Sequence, residues 1–440
     1  MKGMILMQQI DGQKLISELT LSDLENAEQI TFSACVHKLR KMSGFSFVIL
    51  RTGKYLLQTV YQADICKGDF EALCEGAYVT ITGSVKKESR APYGYEITLS
   101  SFEILSTPAA EYPLHVSSRN LGCSLETNMA HRSVALRHPH QRAVFKIAEG
   151  VVSGFREFML SQNFTEIHTP KIVAAGAEGG ANIFKLKYFD QNAFLAQSPQ
   201  FYKQTCVAFF DRVFEIAPVY RAEKHNSTRH LNEYIGLDFE MGFINDMSDV
   251  MQMETAMLRY VVDFLSKNYQ HELQMLNAEL PVINDIPAVT FFEALDILGK
   301  SHNQFDLDPT DEVKLCEYAK ENYNSDFIFV TKFPGLKRPF YAMDSKDDPK
   351  LAESFDLLFR GLEITTGGQR IHDYNEQIAK MKRYNMEPED LAVYLDIHKY
   401  GMPPHGGLGI GLERLVMKLL GLANIREASL FPRDIHHLDP

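Results

Sequence analysis

With 440 residues, the chain has room for two to four domains at roughly 100 to 200 residues each, which excludes a small disulfide-stapled module. Its 45% apolar and 23% charged residues match folded chains and exclude wholesale disorder or a fibrous class. The formal charge of -12 counts against a general nucleic-acid binder; residues 1–110 hold 11 basic and 12 acidic side chains against 34 and 45 in the remainder, so any RNA grip is local to a nearly neutral N-terminal part.

The opening MKGMILMQQI is too short an apolar stretch for a signal peptide, and no run approaches the ~18 residues of a membrane span. Six cysteines (Cys35, Cys66, Cys74, Cys123, Cys206, Cys316) form no CxxC pair, so neither zinc nor a disulfide framework is expected. The expectation is a cytoplasmic protein with no membrane partner. QITFSACV, FSFVIL, KYLLQTV, AYVTITG and GYEITLSSFEIL read as five strands, rich in β-branched and aromatic residues, with a short helical stretch near Asp69 to Cys74 after the third. That order fits an OB barrel, and the order alone also fits another small β-barrel. Residues 106–136, with Pro108 and Pro113 and no clear periodicity, read as a linker between a barrel domain over 1–105 and a second domain over 137–440.

In the second part, Val144, Ala148, Val151, Phe155 and Phe158 recur at helical spacing before a strand from Thr165 that stops at Pro170. VFEIAPVYRAE and YIGLDFEMGF are strands around a polar loop, followed by helical stretches near 247–277 and 376–396. GLGIGLERLVMKLLG reads as a Gly-rich turn feeding a helix that buries Leu412, Leu415, Val416 and Leu419. The fold class is therefore α+β.

The loop from Arg221 to Glu233 carries arginines and histidines suited to a polyphosphate, with a solvated hairpin as the alternative. Asp356, Glu363 and Thr366 are hard oxygen donors suited to Mg²⁺, and Arg370 after a glycine pair suits a small carboxylate. GLGIGLER lacks the GK[ST] ending of a Walker loop, which leaves Arg414 in the first helical turn as an anion ligand. Glu178 in AGAEGG and Ser198, Gln200 and Lys203 in LAQSPQFYKQ bring an acid and a lysine that can serve opposite ends of a zwitterion.

Taken together, these segments resemble the class II aminoacyl-tRNA synthetases, and among them the archaeal-type aspartyl enzymes, over nearly the whole chain. The helix and strand ending at Pro170 look like the first class motif, at a homodimer interface; the loop from Arg221 looks like the second and GLGIGLER like the third. The resemblance implies an OB-fold anticodon domain, an antiparallel catalytic sheet flanked by helices, and transfer of L-aspartate to tRNA(Asp) through an aspartyl adenylate. It further implies catalytic roles for Arg221, Glu363 and Arg414, and Mg²⁺ held by Asp356, Glu363 and Thr366. Arg221, Glu223, Arg229, His230, Leu231, Tyr234, Glu363, Gly411, Leu412, Glu413 and Arg414 would bind ATP. Glu178, Gln200 and Asp238 would surround the aspartate ammonium, with Ser198, Arg221 and Thr366 also around the amino acid, and Lys203 and Arg370 would meet its side-chain carboxylate.

Asparaginyl-tRNA synthetase is the alternative; two cations left poorly compensated by a neutral amide argue for aspartate. Phe47, Gln58 and Glu96 fall where aspartyl enzymes read the anticodon, and His37 with Pro92 matches the form that also charges tRNA(Asn), which requires a partner amidotransferase. A catalytically dead relative that only binds RNA is disfavoured because Arg221, Glu363, Arg370 and Arg414 are all present.

Overall fold

The computed structural model describes residues 19–174, 176, 182–224 and 226–438. Glu178 and its loop from Ala175 to Gly180, Gly176 excepted, lie outside the described residues, as does the opening decapeptide. The chain divides into two compact units that meet between His138 and Pro139.

In the first unit, a Thr20–Asp23 capping box starts α1 (Leu21–Asn26). Strands β1 (Gln29–Lys41), β2 (Ser46–Arg51), β3 (Leu56–Tyr61), β4 (Tyr78–Lys87) and β5 (Tyr95–Ser106) close into a barrel in the order β1-β2-β3-β5-β4. Alternation along the strands buries Phe32, Ala34, Val48, Leu50, Val79, Ile81, Ile97 and Leu99, which is why short β-branched runs with period 2 form a closed core here. A 3-10 turn at Phe70–Ala72 separates β3 from β4, and pairing of β3 with β5 is parallel. This is the five-stranded OB arrangement expected from the strand order. Beyond it lie α2 (Leu125–Ala130) and α3 (Arg132–Ala135), with Leu114, Val116 and Ala135 forming a small apolar cluster. Helices of six and four residues are too short to show helical periodicity in sequence, which is why this stretch reads as featureless.

The second unit begins with α4 (Pro139–Ser161), β6 (Thr165–Glu166), β7 (Ile172–Val173), β8 (Lys185–Tyr188), β9 (Gln191–Leu195), α5 (Gln200–Phe210), β10 (Arg212–Tyr220) and β11 (Glu233–Gly242). It continues with α6 (Met247–Asn268), α7 (Gln270–Leu276), β12 (Ala288–Thr290), α8 (Phe291–Ile297), α9 (Pro309–Tyr323), β13 (Phe327–Thr331), β14 (Ser354–Phe359) and β15 (Leu362–Arg370). The last elements are α10 (Tyr374–Arg383), α11 (Ala392–Lys399), β16 (His405–Gly411) and α12 (Leu412–Leu419).

Eight strands form one sheet in the order β12-β13-β14-β15-β16-β11-β10-β6. Its inner pairings are antiparallel, as expected, but both edge strands join in parallel, so the sheet is mixed. Apolar faces of α4, α6 and α12 pack on one side against Phe214, Leu237, Phe239, Leu357, Leu408 and Ile410. On the other side α8 and α9 cover only the β12–β14 end, which leaves the middle of that face open.

The glycine-rich GLGIG segment is a strand, β16, and not the turn expected from its composition. Gly406, Gly407, Gly409 and Gly411 have no positive φ; what they supply is space. A β-carbon on Gly407 would stand 2.2 Å from Phe239 O and 2.3 Å from Glu240 Oε2. The expected strand from Thr165 to His168 is formed only at Thr165–Glu166, and the two long helical stretches each break, after Asn268 and after Arg383. No helix among the described residues is long and apolar enough to cross a membrane.

Candidate active site

β16 explains the site. Its residues alternate glycine with Leu408 and Ile410, and the two aliphatics point into the helical core while the glycine face is bare. The neighbouring strands present charged and hydroxyl side chains over that trough. One register line runs Asp356↔Thr366↔Gly409↔Asp238, and two residues along run Gly407↔Glu240 and Gly368. A bulge at Ile364 lets Glu363 and Thr366, three apart, face the same way, and Thr366 Oγ1 donates to Glu363 Oε1 at 3.1 Å. The result is a cavity of about 420 Å³, a volume suited to small ligands.

Most residues singled out from sequence line this one cavity: Ser198, Gln200, Lys203, Arg221, Glu223, Arg229, His230, Leu231, Tyr234, Asp238, Asp356, Glu363, Thr366, Arg370, Gly411, Glu413 and Arg414. Leu412 does not; its side chain is buried in the helical core. The Glu413 carboxylate accepts the Ile235 amide at 3.1 Å and so ties α12 to β11, with burial raising its pKa to about 7.

At the amino-acid end, Lys203 and Arg370 converge as expected, but both are already paired. Lys203 Nζ donates to Asp238 Oδ1 at 3.0 Å and Leu408 O at 2.7 Å, and lies 3.4 Å from Glu240 Oε2. Arg370 donates from Nε to Glu240 Oε1 and from Nη2 to Gly407 O, both at 2.9 Å. This corrects the expectation of two poorly compensated cations. Glu240, missed in the sequence, is 0% exposed. Burial would raise its pKa, but Arg370 and Lys203 together hold it below the ordinary carboxyl value. Its signal in the sequence was an acid two residues after Asp238 in an apolar strand, which places both on one face. Beneath them His405 is kept neutral, with burial lowering its pKa to about 4; Nδ1 faces Pro403 O at 2.9 Å and Nε2 the Gln204 amide at 2.8 Å. Gln200 Nε2 is buried with no hydrogen-bond partner among the described residues, a donor left for a ligand.

At the other end, Arg414 Nη1 donates to Glu363 O at 2.9 Å and reaches its carboxylate at 3.5 Å. Arg414 and then Arg221 and Arg338 outweigh burial and hold the Glu363 carboxyl below its ordinary pKa, so it is charged at neutral pH. Asp356 differs. Both its oxygens are taken by a fork from Arg338, at 2.9 and 2.7 Å, and Arg338 in turn stacks 3.8 Å from the Phe333 ring centroid. Among the described residues no cluster of three or more His, Cys, Asp or Glu is placed for a metal. A hard dication sharing phosphate oxygens fits Glu363 and Thr366, a carboxylate and a hydroxyl side by side, while Asp356, the third expected donor, is engaged by Arg338. Arg338 left no local trace in the sequence, since FPGLKRPF reads as an ordinary basic loop.

In the barrel, Gln58 and Glu96 are register partners across β3 and β5, and Gln58 Nε2 donates to Glu96 Oε2 at 2.7 Å. Lys86 holds the other oxygen of Glu96 at 2.7 Å. Half-buried Phe47 on β2 packs edge-on against Phe45. His37 sits at a bulge in β1 and is buried; Pro92 opens an exposed 3-10 turn before β5.

Residues 124–435 match the family model described as tRNA synthetases class II (D, K and N), and residues 30–105 match that of the OB-fold nucleic acid binding domain. A Deinococcus radiodurans protein named Aspartate--tRNA(Asp/Asn) ligase is 43% identical over 423 residues, covering 94% of this chain and 96% of its own length. A Pyrococcus furiosus protein named Aspartate--tRNA(Asp) ligase is 38% identical over 425 residues, covering 94% and 97%. The crystal structure of asparaginyl-tRNA synthetase from Pyrococcus horikoshii complexed with asparaginyl-adenylate gives a TM-score of 0.87 at 29% identity, covering 94% of this chain and 96% of that one. With a bare-faced central strand, a cavity joining paired cations to an arginine-rich end, and a family match over most of its length, the chain belongs to the class II tRNA synthetases, with an OB-fold anticodon-binding domain ahead of the catalytic one.

Proposed function

We propose that this chain activates L-aspartate with ATP and transfers it to tRNA(Asp) and also to tRNA(Asn). The buried donors Lys203 and Arg370 carry the choice of amino acid. The two side chains converge at one end of the cavity, and each presents only N–H donors there. The second carboxylate of aspartate can accept from both, whereas the amide of asparagine offers one acceptor oxygen and an NH2 group that those donors cannot satisfy. The names of the Deinococcus and Pyrococcus relatives support the same choice.

In the first step the aspartate α-carboxylate attacks the α-phosphorus and pyrophosphate leaves, so the protein's work is to position and neutralise. Arg221 serves the α-phosphate and α-carboxylate, Arg414 the far phosphate, Asp238 and Gln200 the ammonium, and Arg370 the side-chain carboxylate. Tyr234 stacks under the adenine. Mg²⁺ bound with the nucleotide would be held by Glu363 and Thr366 and would add to the neutralisation of the phosphates. In the second step the terminal adenosine's 3′-hydroxyl attacks the activated carbonyl and AMP departs. The α4 helix and the segment ending at Pro170 would form a homodimer interface.

Extension to tRNA(Asn) is supported by His37 and Pro92 and by the Asp/Asn name of the Deinococcus relative. The deciding experiment charges purified tRNA(Asp) and tRNA(Asn) with labelled aspartate. Both should accept it; charging of tRNA(Asp) alone overturns the wider reading, and labelled asparagine as the preferred substrate overturns the amino acid. Phe47→Ala is expected to lower charging about 10-fold through loss of one base-stacking surface while sparing aspartate-dependent pyrophosphate exchange. Impaired exchange in that variant would contradict an anticodon role for the barrel.

A further inference from the structure

Glu312 stands in the first turn of α9, behind an Asp308 N-cap and Pro309, and is 6% exposed. It belongs to neither of the polar segments that meet at the nucleotide end, yet one of its oxygens joins them. Oε2 accepts from Arg229 Nη2 of the loop between β10 and β11, and from the Glu363 backbone N–H of β15 at 2.8 Å. Local topology supplies both donors. Pairing of β15 with β16 starts only at Thr365↔Ile410, so at Glu363 the strand has no β16 partner, and Glu312 takes its amide instead. Arg229 reaches across from a loop of irregular backbone, and its Nε is buried with no partner among the described residues. The guanidinium is therefore fixed by one nitrogen while another donor remains to be used. A long cation ordered before its anion arrives does not have to lose that freedom on binding.

We propose that Glu312 is a positioning residue for the nucleotide: by tying Arg229 to the Glu363 end of β15, it presents both to the polyphosphate already in place. This rests on the reading of the cavity as an ATP site. Arg229 would then donate to phosphate through Nε while Nη2 stays on Glu312.

The test measures aspartate-dependent pyrophosphate exchange and calorimetric ATP binding for wild type, Glu312→Gln, Arg229→Ala and the double variant. Glu312→Gln keeps an acceptor for the Glu363 amide but loses the charge facing Arg229. It should weaken ATP binding about 10-fold, the loss of one charge-assisted hydrogen bond, with the aspartate KM and melting temperature near wild type. In the Arg229→Ala background the same change should add nothing further. Unchanged ATP affinity, additive effects of the two substitutions, or equal weakening of both substrates with a lowered melting temperature would each overturn the role. Should Glu312→Gln fail to fold, Glu312→Asp, which retains the charge but withdraws it by one methylene, carries the same comparison. A wild-type protein that neither exchanges pyrophosphate nor binds ATP would overturn the reading of the cavity instead.

Discussion

Arg370→Ala is expected to lower kcat/KM for aspartate in pyrophosphate exchange by about 10²- to 10³-fold, the scale of losing one preorganised charged donor, with ATP binding nearly unchanged. The same substitution also acts on folding. Glu240 is wholly buried and pairs with Arg370 at 2.9 Å, leaving Lys203 at 3.4 Å as its remaining cation. Breaking a buried pair from one side costs about 3–5 kcal/mol, because the other charge stays in a low-dielectric setting. Chemical denaturation of the single variant should register that loss. Adding Glu240→Gln should recover much of the stability and none of the aspartate activation, which separates the folding role of the pair from its work on substrate. Equal loss of aspartate and ATP affinity in Arg370→Ala would show the role to be misassigned.

Arg221→Ala should be the more damaging change for chemistry, reducing the rate of adenylate formation about 10³-fold, since one side chain at the end of β10 is asked to serve both reacting groups. Folding should be spared. The Glu363 carboxyl responds to Arg414 first and to Arg221 and Arg338 after it, so two cations remain beside it when Arg221 is gone. Arg221→Lys restores charge without the planar fork and should recover only part of the rate. Rapid-quench measurement of a single turnover checks this; a variant slow only in steady state, with normal adenylate formation, would move Arg221 from the chemical step to product release.

The barrel was legible because its five strands announce themselves locally, through β-branched residues at period 2 between turn residues. Much of the cavity wall was legible too, since Asp238 is a polar side chain in a largely apolar strand and Glu363, Thr366 and Arg370 lie together in one short polar segment. What escaped were the partners. Arg370 meets Glu240 across 130 residues, Arg229 meets Glu312 across 83, and Arg338 reaches Asp356 across 18 from a bend outside the sheet. Strand register places Glu240, but Glu312 on α9 and Arg338 in its bend look like surface charges until the fold brings them against the sheet. The GLGIG segment was misread for a different reason: glycine signals either conformational freedom or missing bulk, and the alternation with Leu408 and Ile410 was the clue that bulk was the issue.

The bare face of β16 has a consequence for inhibitors of this cavity. A compound lying along Gly409 and Gly411 touches main chain, whose shape does not depend on any rotamer. Resistance usually arises when a substituted side chain intrudes on the drug. That route is narrowed at Gly409, where an added β-carbon would stand 3.0 Å from Asp238 Oδ1 and so disturb the cavity's own carboxylate along with the drug.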